Sequence, residues 1–180
     1  MSAKLPERFD TERLILREPR EADARAIFAA YTQDPVVAHY MIWRPHTAPA
    51  ETEAFIAECR RSWSAGLRRP YVLALAENEA QPIGMLEARP MAHIVDIGYV
   101  LARHYWGRGL MPEAISELAR LALDKGGFFR LQATCDVDNR ASARTLEKSG
   151  FIREGVLARH TVHPNLGAEP RSCFMYGRCR

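Results

Sequence analysis

The 180-residue sequence predicts an α/β chain of the α+β kind, a mixed, mostly antiparallel sheet of about seven strands carrying about four helices. Three observations carry this expectation. Apolar runs at residues 71–76, 83–88 and 94–101 are separated by short polar or Pro-containing turns, the pattern of an antiparallel meander. The third run breaks into His104-Tyr105-Trp106-Gly107-Arg108-Gly109 and re-enters a helix over residues 110–125, whose apolar stripe is Met111, Ala114, Ile115, Leu118 and Ala122. A strand with Phe129, Leu131, Ala133 and Cys135 on one side follows, so strand, helix and strand imply one parallel pair inside an otherwise antiparallel sheet.

The remaining elements fall around this unit. Leu14 and Leu16 alternate with Arg13, Ile15 and Arg17, a short strand. Ala26, Ile27, Ala30 and Tyr31 form a helical stripe that begins near Arg20 and stops at Asp34-Pro35, where proline disfavours helix in the residue before it. Phe55, Ile56, Cys59 and Trp63 form a second stripe, ended near Gly66. Gly126-Gly127 stops the helix after the glycine turn. A helix capped by Asn139 runs to Gly150, and strands are expected near residues 151–157 and 173–178.

Length and composition narrow the function. At this size the chain is expected to form one domain, residues 1–180. The net charge of +3 arises from basic residues interleaved with acidic ones, as in Arg17-Glu18 and Arg20-Glu21, which argues against a nucleic-acid partner. No apolar run reaches the length of a membrane span, and the stretch from Met1 to Arg8 lacks an apolar signal core. Cys59, Cys135, Cys173 and Cys179 show neither metal-ligand spacing nor a dense disulfide pattern, so a reducing cytoplasm is expected. His160 and His163 have no third ligand nearby, and no metal is expected.

The glycine turn is the strongest chemical signal. A strand that breaks into glycines before a helix leaves main-chain N–H groups unpaired at the positive end of the helix dipole, an arrangement that binds phosphate. Glycine keeps the approach to those amides open. The spacing excludes a P-loop, which needs Gly-x-x-x-x-Gly-Lys-Ser/Thr. It also excludes the dinucleotide fingerprint, whose third glycine would fall at Pro112.

Gly107-x-Gly109 after Tyr99-Val100-Leu101 resembles the acyl-CoA pyrophosphate loop of the GNAT superfamily of N-acetyltransferases, with His104 where that family has Arg or Gln. Residues 138–151 resemble the same family's helix motif, Asn-x-x-Ser/Ala followed by Glu-Lys-x-Gly-Phe, carried here by Asn139, Ser142, Glu147, Lys148, Gly150 and Phe151. Residues 11–19, Thr-Glu-Arg-Leu-Ile-Leu-Arg-Glu-Pro, resemble the start of the ribosomal-protein (alanine) N-acetyltransferase subgroup.

The resemblance implies a GNAT-type acyl-CoA N-acyltransferase fold, acetyl-CoA as cosubstrate and a primary amine as acceptor. In that family the strands on either side of the glycine turn and its helix splay apart, and pantetheine lies in the gap. The implied coenzyme contacts are then the main chain of Tyr99, Val100 and Leu101, the loop residues His104, Trp106, Gly107, Arg108, Gly109 and Leu110, and Asn139 and Ser142 on one face of the capped helix. Arg103, Arg108, Arg140, Arg144 and Lys148 are candidates to neutralise the coenzyme phosphates. His39, Tyr40 and Trp43 are expected to form one wall of the acceptor cleft, and residues 160–171 the other.

Acetyl transfer needs a neutral nitrogen. Deprotonation at pH 7 costs roughly 1 kcal/mol for an α-amine and roughly 4.6 kcal/mol for a lysine amine. Candidate bases are Asp96 and Glu87, carboxylates inside otherwise apolar strands, where burial makes a carboxylate more basic. Many relatives carry a tyrosine acid seven positions after the helix asparagine; here that position is Leu146, which leaves Ser142 as the hydroxyl on that face. The acceptor is expected to be a protein N-terminal α-amine or a small amine, attacked directly in a ternary complex. A non-catalytic acyl-CoA-binding module is the alternative, and the motifs leave a homodimer open.

Overall fold

The computed structural model describes residues 4–180. Residues 1–3, which begin the stretch expected to lack a signal core, lie outside the described residues. The chain folds around one eight-stranded sheet of order β1-β2-β3-β4-β5-β6-β8-β7. The strands are β1 (Phe9–Asp10), β2 (Leu14–Arg17), β3 (Arg69–Leu75), β4 (Asn78–Met91), β5 (Ile94–Leu101), β6 (Arg130–Asp136), β7 (Ile152–Val162) and β8 (Pro170–Cys179). Five α-helices are interspersed: α1 (Asp23–Ile27), α2 (Pro35–Ala38), α3 (Pro49–Ser64), α4 (Leu110–Arg120) and α5 (Arg140–Lys148). The expected α+β class is therefore found, with one strand and one helix more than the pattern announced. Both additions are short. β1 has 2 residues and α2 has 4, too few to show a period.

Every neighbouring pair is antiparallel except β5 and β6, as strand–helix–strand requires. Leu14, Leu16, Tyr71, Leu73, Leu86, Val95, Leu131 and Tyr176 face α4 and α5, where Ala114, Ile115, Leu118 and Leu146 complete the larger core. The opposite face buries Val72 and Met85 under Ile27, Tyr31, Ile56 and Cys59 from the α1–α3 layer. Tyr71 is clamped edge-on between Phe9 and Trp63, with ring centroids 5.1 and 5.2 Å away.

The β2 alternation sets Ile15 and Arg17 opposite Leu14 and Leu16, and all four residues are buried. Arg17 makes a bidentate pair with Asp23 at the start of α1, Nη1–Oδ2 and Nη2–Oδ1 both 2.8 Å, because α1 covers that face and a buried guanidinium needs a fork-shaped partner. Phe55 was expected in the α3 stripe and is exposed; Thr52, Ile56, Cys59, Ser62 and Trp63 form the buried side.

The β4–β5 hairpin sets the register of the site. Met91 pairs with Ile94, so only Ala92 and His93 form the turn. Ala92 has φ 49°, the left-handed region that a type II′ turn demands at its first central position and that glycine fills without strain. Replacing Ala92 by Gly is expected to stabilise the chain by about 0.5–1 kcal/mol, read as a higher urea midpoint at unchanged slope.

Candidate active site

β5 and β6 pair over three positions only: Ile94 with Arg130, Val95 with Leu131, and Asp96 with Gln132. Beyond Asp96 each strand stays on its outer neighbour. β5 continues along β4 as far as Leu101 opposite Gly84, and β6 continues along β8 as far as Asp136 opposite Cys173. Residues 97–101 and 133–136 therefore face each other with one unpaired main-chain edge apiece. Unpaired amides and carbonyls flanking a gap are a template for an extended, amide-bearing ligand arm.

The glycine turn closes one end of this gap. Residues Arg103–Tyr105 form a single 3₁₀ turn, and Gly109 caps α4. Gly107 and Gly109 both adopt φ 75°, which turns the chain so that consecutive amides face the same way. Among the described residues the amides of Gly107, Arg108 and Gly109 have no hydrogen-bond partner within the chain, and those of Leu110 and Met111 are first-turn donors of α4. Arg103, Arg108, Arg140 and Arg144 are exposed and, among the described residues, lie in no ion pair. Trp106 does not cover the loop. Its indole Nε1 donates to the Leu101 carbonyl at 2.7 Å, which leaves that oxygen one further lone pair. The exposed His104 ring lies 3.4 Å from the Arg108 guanidinium.

α5 supplies the groups on the α4 side of the gap. Asn139 caps it, its Oδ1 accepting from the Ser142 amide at 3.1 Å. The Ser142 hydroxyl lies 2.7 Å from the Tyr99 hydroxyl, which also approaches the Ser142 carbonyl at 3.1 Å. Tyr99 thus spans the gap from β5 to α5 through its side chain; the sequence offered only its main chain. Burial pushes the Tyr99 hydroxyl above its ordinary value, with the Ser142 hydrogen bond opposing, so at neutral pH it is a donor and not an anion. Leu146 is fully buried in the core. Cys135, on β6, is buried and its thiol is pushed up to about 11, mainly by desolvation.

The two candidate carboxylates sit on the other face, at the closed end of the gap. They do not have the apolar surroundings expected for them. Glu87 accepts from Arg68 Nη1 and from Arg89 Nη1, both at 2.6 Å. Arg89 also binds Asp96, with Nε 3.0 Å from Oδ2. Gly98 lies opposite Glu87 and leaves room for the Arg89 guanidinium, which a Cβ there would meet at 3.3 Å. Burial works against the Arg89 charge, and Asp96 and Glu87 more than offset it. Both carboxylates are thus paired with guanidinium groups, Glu87 through both oxygens and Asp96 through Oδ2.

The expected acceptor walls meet. Asn165 Nδ2 donates to the Ala38 carbonyl at 2.6 Å and the Trp43 carbonyl at 2.8 Å, joining the 163–169 loop to the segment after α2. Tyr40 stands edge-on to His163, centroids 6.4 Å apart, and to His39 at 4.7 Å. His160 and Thr161 belong to β7, so the wall loop is shorter than residues 160–171. His163 is 5% exposed, and neither ring nitrogen has a hydrogen-bond partner. Its Nε2 lies 3.6 Å from Asp136. Asp136 accepts from Arg171 (Nε 2.6 Å) and from the Asp138 amide (2.9 Å). No group of three or more His, Cys, Asp or Glu among the described residues is placed to hold a metal, and no helix among them is long and apolar enough to cross a membrane.

The split sheet, the glycine-capped helix and the asparagine-capped helix define an acyl-CoA-binding acyltransferase architecture. Residues 13–152 match the acetyltransferase (GNAT) domain family, and the chain belongs to it. It is an acetyl-CoA-dependent N-acetyltransferase. It is 30% identical over 159 residues to the N-acetyltransferase YoaA of Bacillus subtilis (strain 168), covering 84% of this chain and 86% of YoaA. The fold is shared with the Microcin C7 self-immunity acetyltransferase MccE, solved with acetyl-CoA and AMP (TM-score 0.83, 20% identity, 94% and 93% of the two chains). It is shared also with RimL, a ribosomal L7/L12 alpha-N-protein acetyltransferase solved with coenzyme A (TM-score 0.81, 20% identity, 97% of each chain).

The Asp136 cluster gives a stability prediction. Burial opposes the Asp136 charge, but Arg171 and the Asp138 amide hold its carboxyl below the usual carboxylate range. A depressed folded value stabilises above the unfolded pKa of about 3.9 and loses that contribution as pH falls through the folded value. Asp136→Asn is expected to cost about 2 kcal/mol at pH 7, with a shallower loss of stability on acidification than the parent chain, both read from urea unfolding between pH 7 and 3.

Proposed function

We propose that the acetyl group passes directly from acetyl-CoA to a primary α-amine, in a ternary complex. The observation that carries this reading is the gap between β5 and β6 beyond Asp96, with the Ser142–Tyr99 hydroxyl pair on its α5 side. The diphosphate lies on the amides of Gly107–Leu110, and the pantetheine arm follows the free edge of β5. Asn139 and Ser142 meet that arm from α5. The neutral amine attacks the thioester carbonyl; a main-chain N–H of the unpaired β5 edge donates to the resulting oxyanion. Attack makes the nitrogen cationic, and it gives up one proton to solvent; collapse expels the coenzyme thiolate, which takes the Ser142 hydroxyl proton, Tyr99 resupplies the serine, and solvent returns a proton to Tyr99, so that the net transfer is from amine to thiol.

The choice of amine follows from the carboxylates. Glu87 and Asp96 are ion-paired with Arg68 and Arg89, which favours a reading that asks for no strong base. An α-amine, which costs roughly 1 kcal/mol to deprotonate at pH 7, needs none; a lysine, at roughly 4.6 kcal/mol, does. The fold shared with a ribosomal-protein alpha-N-acetyltransferase supports a protein N-terminus over a small amine. Free Cys59, Cys135, Cys173 and Cys179 support a reducing compartment such as the cytoplasm.

Thiol release from acetyl-CoA, measured with peptides differing at residue 1, with N-blocked lysyl peptides and with small amines, tests the acceptor. Free N-termini are expected to be the preferred class. Activity confined to N-blocked lysyl peptides overturns the reading. With a good acceptor, kcat/KM is expected to rise with pH and level off near pH 8, where the α-amine becomes neutral. Ser142→Ala is expected to lower kcat about 10²-fold, and Tyr99→Phe about tenfold, with acetyl-CoA affinity held within about twofold. Equal losses in kcat and affinity would assign Ser142 to binding alone.

A further inference from the structure

The glycine turn is braced from a distant part of the chain. Arg13 stands just ahead of β2, 95 positions before Arg108, yet its Nη1 donates to the Arg108 carbonyl at 3.0 Å. The same guanidinium grips Glu113 in the first turn of α4, with Nε 2.7 Å and Nη2 2.6 Å from Oε2. The Arg13 amide and the Thr11 hydroxyl donate to Oε1 of Glu113. A Cβ on Gly109 would come 3.6 Å from Arg13 Nη2, so the guanidinium lies directly under the turn.

Two consequences follow from charge and geometry. A carbonyl held by Arg13 points inward, which turns the flanking amides of the same turn outward, toward where an anion binds. Glu113 places a full negative charge beside that anion site. Burial opposes this charge, but the Thr11 and Arg13 hydrogen bonds keep the carboxyl below its ordinary value, so it is ionised at neutral pH. Left bare, it would repel a diphosphate at the α4 N-terminus. Arg13 neutralises it while its side chain stays 46% exposed to solvent.

We infer that Arg13 is a positioning residue for the coenzyme diphosphate, setting the shape of the Gly107–Gly109 turn and cancelling the Glu113 charge beside it. This rests on the diphosphate occupying that turn. Arg13 touches no reacting atom; it acts through Arg108 and Glu113.

Calorimetric titration of the full chain with acetyl-CoA tests it without an acceptor. Arg13→Ala is expected to weaken binding about tenfold, as loss of charge-assisted hydrogen bonds implies, and the loss is expected to shrink at high salt. Arg13→Lys, which keeps the charge without the fork, is expected to fall between the two. The diagnostic variant is Arg13→Ala combined with Glu113→Gln. Removing the uncompensated carboxylate charge is expected to restore most of the affinity, a rescue that mere damage to the fold would not give. Binding by Arg13→Ala equal to that of the parent chain, or a double variant no tighter than Arg13→Ala alone, overturns this inference and leaves the coenzyme site standing. No heat with the parent chain overturns the diphosphate reading and this inference together.

Discussion

The structure depends on a ladder that stops. β5 and β6 share hydrogen bonds at Ile94, Val95 and Asp96 and then part. Had they stayed paired, the sheet would be continuous and offer no edge to a ligand. The separation is tolerable because each strand satisfies its other edge, β5 against β4 and β6 against β8. Two rigid half-sheets, joined at one end by three residue pairs, therefore hold open a slot lined by main-chain donors and acceptors. The cost of unpaired main chain is concentrated where a ligand can meet it.

The two faces of the slot have different chemistry. Toward α4 and α5 lie hydroxyls and a buried thiol: Tyr99, Ser142 and Cys135. Toward α1–α3 lies an alternating run of charge, Arg68, Glu87, Arg89 and Asp96, in which each carboxylate accepts from at least one guanidinium. Neutral donors on one side and neutralised ions on the other suit a reaction in which the amine arrives uncharged and the leaving sulfur departs charged.

Much of this was legible in sequence. The glycine turn, the Asn139 cap and the parallel pair rest on local chemistry or on the order of elements, and all are found in the structure. What escaped depends on register and on distance along the chain. A periodicity of two places Glu87 and Asp96 on strands but cannot say what stands opposite. The two-residue turn at Ala92-His93 would have said it, because it puts Arg89 against Asp96 and Gly98 against Glu87. Arg17 alternates with Leu14 and Leu16 and is buried on the other side of β2, where a helix 6 positions on supplies Asp23. Tyr99 was identified by its strand, and its side chain found Ser142 on an element 43 positions away.

The outermost strands bear on what the sheet does not do. β7 carries Ile152, Val156 and Val162, 73%, 59% and 43% exposed, along a margin that no other strand of the described residues covers. Its pairing with β8 slips between Arg153 and Gly155 and again between Leu157 and Thr161, and Arg159 sits at φ 47°. Those kinks put its outward amides out of step with any straight strand laid alongside. The opposite margin is β1, two residues long. Runaway lateral growth, molecule upon molecule, is thereby discouraged at both rims.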